Sequence, residues 1–156
     1  MTTIILETKI KAPILRCFDL SRSIDLHKIS TAHTKETAIE GCTQGLITLG
    51  EYVTWEAIHF GIKQRLSTKI TEFTSPTHFK DEQIRGIFNF MKHDHFFEQN
   101  GEFTLMKDIF SFKSPLGILG SLADIIFVKR HLRNLLLHRN RTIKEFAESE
   151  DWRKVL

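Results

Sequence analysis

The sequence predicts an α+β fold. A curved antiparallel sheet of about seven strands packs against one long C-terminal helix, and two short helices follow the first strand. Three observations carry this. Period-two alternation of apolar and polar residues recurs from Thr3 to Lys113, punctuated by turn residues. Phe88–Lys113 reads as a β-hairpin around Asn100-Gly101, the strongest short signal for a two-residue turn. From Leu116 to Glu148, Ile118, Leu122, Ile125, Val128, Leu132, Leu135, Leu136, Ile143 and Phe146 recur at spacings of three and four. They form one apolar stripe, which must lie on something, and the sheet is the available apolar partner.

In order, Thr3–Ile10 is a strand with Ile4, Leu6, Thr8 and Ile10 on one side. Ala12-Pro13 stops it, and Pro13–Asp19 is a short helix with proline well placed in its first turn. Ser21–Ile29 is a second helix, capped by Ser21 or Ser23. Thr34–Glu40 is a weaker strand, Gly50–Phe60 a stronger one, and Ile62–Phe73 follows across Gly61. On that last strand Gln64, Leu66, Thr68 and Ile70 share the inward side. Thr77–Arg85 is a further strand, ended near Gly86. Nothing repeats and no linker is visible, so one domain is expected over residues 1–156.

A turn centred on Asn100-Gly101 sets Met91 opposite Phe110, His93 opposite Asp108, His95 opposite Met106 and Phe97 opposite Thr104. That face is mostly apolar and should point inward. The other face, with Asp94 opposite Lys107, suits water. Buried polar groups need partners, and His93 and Asp108 supply each other. The inward face therefore reads either as the wall of a pocket or as core containing a satisfied His–Asp pair.

Composition is that of an ordinary globular protein, except that phenylalanine is over-used: 13 Phe against one Tyr and two Trp. The net charge of +3 does not by itself point to nucleic acid, and none is expected as a partner. Cys17 and Cys42 fit no metal spacing and are too few for a disulfide framework. The N-terminus has no basic region before its apolar residues and Glu7 follows at once, unlike a signal peptide, and Leu116–Val128 is interrupted by Asp124 and too short to span a bilayer. A cytoplasmic location is the expectation.

The stretches GEYVTWEAIHFG, FKDEQIRGIFNFMKHDHFF, GEFTLMKDIFSFKSPLGILGSLAD and LLLHRNRTIKEFAE resemble the START-like (SRPBCC) superfamily. That group includes Bet v 1-type plant proteins and polyketide cyclase/dehydrase and lipid-transport families. The most specific parts are HxHxF at His93–Phe97, TxMxD at Thr104–Asp108, SPLG at Ser114–Gly117 and Arg139-Asn140. The likeness covers nearly the whole chain, and within the superfamily the chain is similar to small bacterial proteins also found appended to nucleotide-sugar epimerase-like domains. It implies a helix-grip fold with a deep hydrophobic cavity, and leaves the reaction open.

Three functions are compatible with these residues. The first is binding, for transport or sensing, of a small hydrophobic or amphipathic ligand. Trp55, Leu66, Thr68, Met91, Phe97, Met106 and Phe110, with Ile70 and Phe112, would line the walls. Gln64, His93, His95, Thr104 and Asp108 would orient a polar end. The second is a cyclase/dehydratase- or hydrolase-like enzyme with His93 as acid or base, Asp108 orienting it, and Glu51 or Glu56 as a second acid. No nucleophile motif accompanies them. The third is a macromolecular partner for the basic run Lys129, Arg130, Arg133, Arg139, Arg141 and Lys144. No cofactor is expected. A metal on His93 and His95 with Asp108 as third ligand rests on weak spacing, so none is assigned.

Overall fold

The computed structural model describes residues 1–115, 122 and 124–156. Seven antiparallel strands form one sheet: β1 (Thr2–Ile10), β2 (Thr37–Gly41), β3 (Tyr52–His59), β4 (Ile62–Thr74), β5 (His78–Arg85), β6 (Phe90–Asn100) and β7 (Phe103–Lys113). Their order across the sheet is β1-β7-β6-β5-β4-β3-β2. Two helices, α1 (Ile14–Ser21) and α2 (Ile24–Ser30), bridge β1 to β2, and α3 (Lys129–Glu148) lies against the sheet.

Local chemistry explains the short elements. Pro13 caps α1 in extended conformation, so its missing N–H costs no helical hydrogen bond. Ser23 caps α2, its Oγ accepting from the Leu26 amide at 3.1 Å. Alternation on β1 buries Ile4, Leu6 and Ile10 as the sequence predicts.

The β6–β7 turn differs from expectation. Gly101 and Glu102, not Asn100 and Gly101, are its central residues, because Asn100 still pairs with Phe103. Gly101 takes φ +62° at the first central position, so glycine meets the one demand for a left-handed residue. Gln99 braces the turn, its Nε2 donating to the carbonyls of Gly101 (2.8 Å) and Phe103 (3.0 Å). The pairs become Met91–Phe112, His93–Phe110, His95–Asp108 and Phe97–Met106. This register slides by two residues, so every side chain keeps its predicted face. On the outer face Asp94 sits opposite Ile109, not Lys107. It is buried, and accepts from His78 Nε2 at 2.9 Å.

The C-terminal helix also differs. Asp124–Val128 forms one wide π turn before α3. Leu122 is exposed, where burial was expected, and Leu132 and Leu136 are half-buried. A π turn adds a residue to the helical repeat and rotates what precedes it by about 100°. Leu122 thereby leaves the stripe. Ile118, the expected helix from Leu116 to Ser121, and the Ile125 side chain lie outside the described residues. No helix among the described residues is long and apolar enough to cross a membrane.

Two apolar clusters hold the layers together. At the α1–α2 end, Phe18 is fully buried and meets Phe73, Phe79 and Phe97 edge-on at 5.3–5.5 Å. Such edge contacts suit the ring quadrupoles. At the other end Ile4, Leu6, Met91, Phe110 and Phe112 pack with Leu132 and Leu136 of α3.

Candidate functional site

A cavity lies between sheet and helix, in two adjoining lobes that share Trp55, Leu66, Phe110, Leu136 and Arg139. The outer lobe is about 400 Å³, apolar for the most part, with Val128, Leu132 and Leu135 on its helical side. The inner lobe is about 170 Å³ and polar at one wall, where Asp81, His93, His95 and Arg139 meet.

That wall is organised by Asp108, which is completely buried on β7. Its Oδ1 accepts from His93 Nε2 at 2.8 Å and from Arg139 Nη1 at 3.3 Å, and lies 3.1 Å from His95 Nδ1. Its Oδ2 accepts from Asn140 Nδ2 at 2.7 Å. Arg139 also donates to the Asn140 Oδ1 (2.8 Å) and the Ser21 carbonyl (3.2 Å). His95 Nε2 is 2.8 Å from Asp81 Oδ2 on β5, and its ring stacks on Phe79 at 4.1 Å. The His93 and His95 rings lie 3.7 Å apart.

Burial alone would raise the Asp108 pKa, but hydrogen bonds from His93 and His95 and the Arg139 charge outweigh it and hold the carboxyl well below its usual range. Asp81 shows the same balance, with burial opposed by the bond to His95. His93 goes the other way. Burial lowers it to about 4, reinforced by His95, against the pull of Asp108. His93 is therefore a neutral ring whose Nε2–H points at Asp108. Its Nδ1 has no hydrogen-bond partner among the described residues.

Of the residues singled out in the sequence, Trp55, Leu66, Thr68, Met91, His93, His95 and Phe110 line the cavity, and Gln64 lines the outer lobe. Phe97, Thr104 and Met106 lie in packed core instead. Phe97 packs on Phe18, Met106 is fully enclosed, and Thr104 Oγ1 donates to the Ala12 carbonyl at 2.8 Å. Asp108 sits behind the histidines. Glu56 is engaged by Arg65 at 2.8 Å and Lys63 at 3.3 Å, and is not part of the polar wall. Arg139 is buried, so it drops out of the basic helix face.

Sequence reasoning missed Asp81 and the His27–Glu36 pair (2.6 Å), whose imidazole packs on Trp55 at 4.2 Å, and it named Asn140 only as part of a motif, without a place in the site. Alternation on β5 could have found Asp81, because it shares a face with Phe79. Nothing local marks Glu36.

No protein-family model matches the chain, and no curated protein sequence does. Solved structures do. A protein from Thermus thermophilus superposes with a TM-score of 0.71 at 16% identity, over 91% of this chain and 97% of that one. A START superfamily protein from Mycobacterium smegmatis gives 0.69 at 10% identity, over 94% and 97%. Major latex-like protein 151 from Panax ginseng gives 0.67 at 16% identity, over 95% and 98%. The chain has the START-like helix-grip fold. In this helix-grip chain the gripped helix contributes Arg139 and Asn140, so the polar wall exists only where helix and sheet meet.

Proposed function

We propose that the cavity binds a small amphipathic ligand, its apolar body in the outer lobe and its polar end at the inner wall. The observation that carries this is the outer lobe itself. About 400 Å³ of apolar space falls within the roughly 300–1,000 Å³ of small-molecule sites, and it ends on a few fixed polar groups. Proteins of this fold commonly bind hydrophobic ligands, which supports the reading. His93 is neutral, so it offers hydrogen bonding rather than positive charge, and Arg139 places a cation in the inner lobe's polar wall.

Native mass spectrometry of gently purified protein should reveal a retained mass, and a fluorescent fatty-acid analogue should bind saturably. Leu136→Trp places a large ring where the two lobes meet, and should weaken the analogue at least about tenfold. Absence of saturable binding, or equal affinity in Leu136→Trp, would remove this reading.

A second reading uses the same wall for chemistry. The unpartnered Nδ1 of neutral His93 borders the inner lobe, where it could accept a proton from a bound substrate while Asp108 holds the ring. Turnover of a cavity-bound compound that is lost in His93→Gln would favour it.

A further inference from the structure

We propose that Asp81, His93 and His95 form a binding site for one divalent transition-metal ion, with at least one coordination position open to the inner lobe. One ligand atom from each of the three lies within 4.8 Å of the other two. Ligands held on a common ion at about 2.0–2.1 Å stand roughly 3 Å apart. Asp81 Oδ2 and His95 Nε2, at 2.8 Å, already meet that spacing, and His93 offers a nitrogen within 4.8 Å of the other two ligand atoms. Two imidazoles and one carboxylate suit Zn²⁺, Fe²⁺, Co²⁺ or Ni²⁺ better than Ca²⁺ or Mg²⁺.

The groups behind the histidines are what separate this cluster from a chance gathering. A ligating histidine usually donates its second N–H to a carboxylate, which fixes its tautomer and orientation. Here Asp108 accepts from His93 and lies beside His95, whose Nδ1 also takes a hydrogen bond from Arg139 Nη2 at 3.4 Å. His93 Nε2 donates to Asp108 Oδ1 at 2.8 Å, and His95 Nδ1 lies 3.1 Å from the same oxygen. Those contacts leave His93 Nδ1 and His95 Nε2 for a metal, and His93 Nδ1 has no partner among the described residues. Asp108 is in turn fixed by Asn140 and by Arg139, whose charge offsets its own. Metal binding takes the place of the hydrogen bond between His95 Nε2 and Asp81 Oδ2, and the metal-bound ring carries its one proton on Nδ1, facing Asp108 Oδ1 at 3.1 Å. All three ligand residues line the inner lobe, so the open position faces a cavity able to hold water or a ligand's polar end.

A second cluster provides an internal control. Glu72, His78 and Asp94 also gather within 4.8 Å, but Lys80 bonds Glu72 there and supplies a competing cation.

The site is independent of any hydrophobic ligand, and its test uses none. Full-length protein stripped with a chelator is titrated with Zn²⁺ by calorimetry and with Co²⁺ by visible absorption. One ion per chain is expected. Asp81→Asn, His93→Gln and His95→Gln should each weaken it at least about tenfold, and Asp108→Asn about 10–100-fold. His78→Gln should leave it unchanged. Should the buried variants fail to fold, wild-type protein still decides. One equivalent of Zn²⁺ should move the ¹⁵N resonances of His93 Nδ1 and His95 Nε2. Unmoved resonances overturn the proposal, as does binding that is lost in His78→Gln and kept in His93→Gln.

Discussion

Asp108 is fully buried, yet it ties β6 to α3 through His93, Arg139 and Asn140. A buried ion pair adds little over an apolar pair of equal shape, but removing one partner leaves the other charged and alone. Asp108→Ala should therefore cost about 3–5 kcal/mol in chemical denaturation, since it strands Arg139. Arg139→Met alone should cost a similar amount, and the double variant less than the sum of the two. Additive losses would mean the pair is not coupled. The sequence revealed His93, His95 and Asp108 because alternation along a strand needs only parity. Asp81 shares its strand face with Phe79 and was overlooked, and Asn140 stood out only as part of a motif, because its approach to Asp108 depends on where α3 crosses, which is not written locally.

At the scale of elements, strand faces were legible and strand register was not. Asn100-Gly101 and Gly101-Glu102 turns predict the same inward residues, so hydrophobic pattern cannot choose between them. Backbone chemistry chooses. Gly101 carries φ +62°, and a Cβ built there meets nothing within 4 Å, so alanine at this position is penalised by backbone strain alone. Gly101→Ala should cost about 1–2 kcal/mol. Asn100→Ala should stay within about 0.5 kcal/mol, because Asn100 is an ordinary strand residue. Equal large losses at both positions would restore the other turn. The helix misled for a related reason. Spacings of three and four are read as if the repeat never changes, and the π turn at Asp124–Val128 changes it without altering the apolar residue count. Among the described residues the stripe is legible from Val128 onward, and Leu122 before it is out of phase.

Across the whole molecule the two ends of the sheet–helix interface differ. The α1–α2 end is packed around Phe18 and its aromatic neighbours, while the opposite end holds the outer lobe. There α3 meets the β3–β4 tip through His59 Nδ1 and His131 Nε2, 2.9 Å apart, with Phe60 4.6 Å from the His131 ring. One ring must donate and the other accept, so the bond requires at least one neutral imidazole. Burial lowers the His59 pKa, with Glu36 opposing and His33 adding to the effect. Burial also lowers His131, helped by His59 and His33. In the unfolded chain both rings titrate near their ordinary value of about 6.5. Above that value they are neutral in both states and contribute nothing to the pH dependence. As pH falls through it, the unfolded chain takes up protons first and stability declines. His93 acts in the same direction, but it does so equally in wild type and in variants at the mouth. Melting temperature should therefore fall between about pH 7.5 and about pH 5.5. It should fall less steeply in His59→Asn/His131→Asn, which removes both titrating rings from the mouth. Parallel profiles would show that the rings carry no proton linkage to folding, and a steeper fall in the variant would reverse the sign argued here.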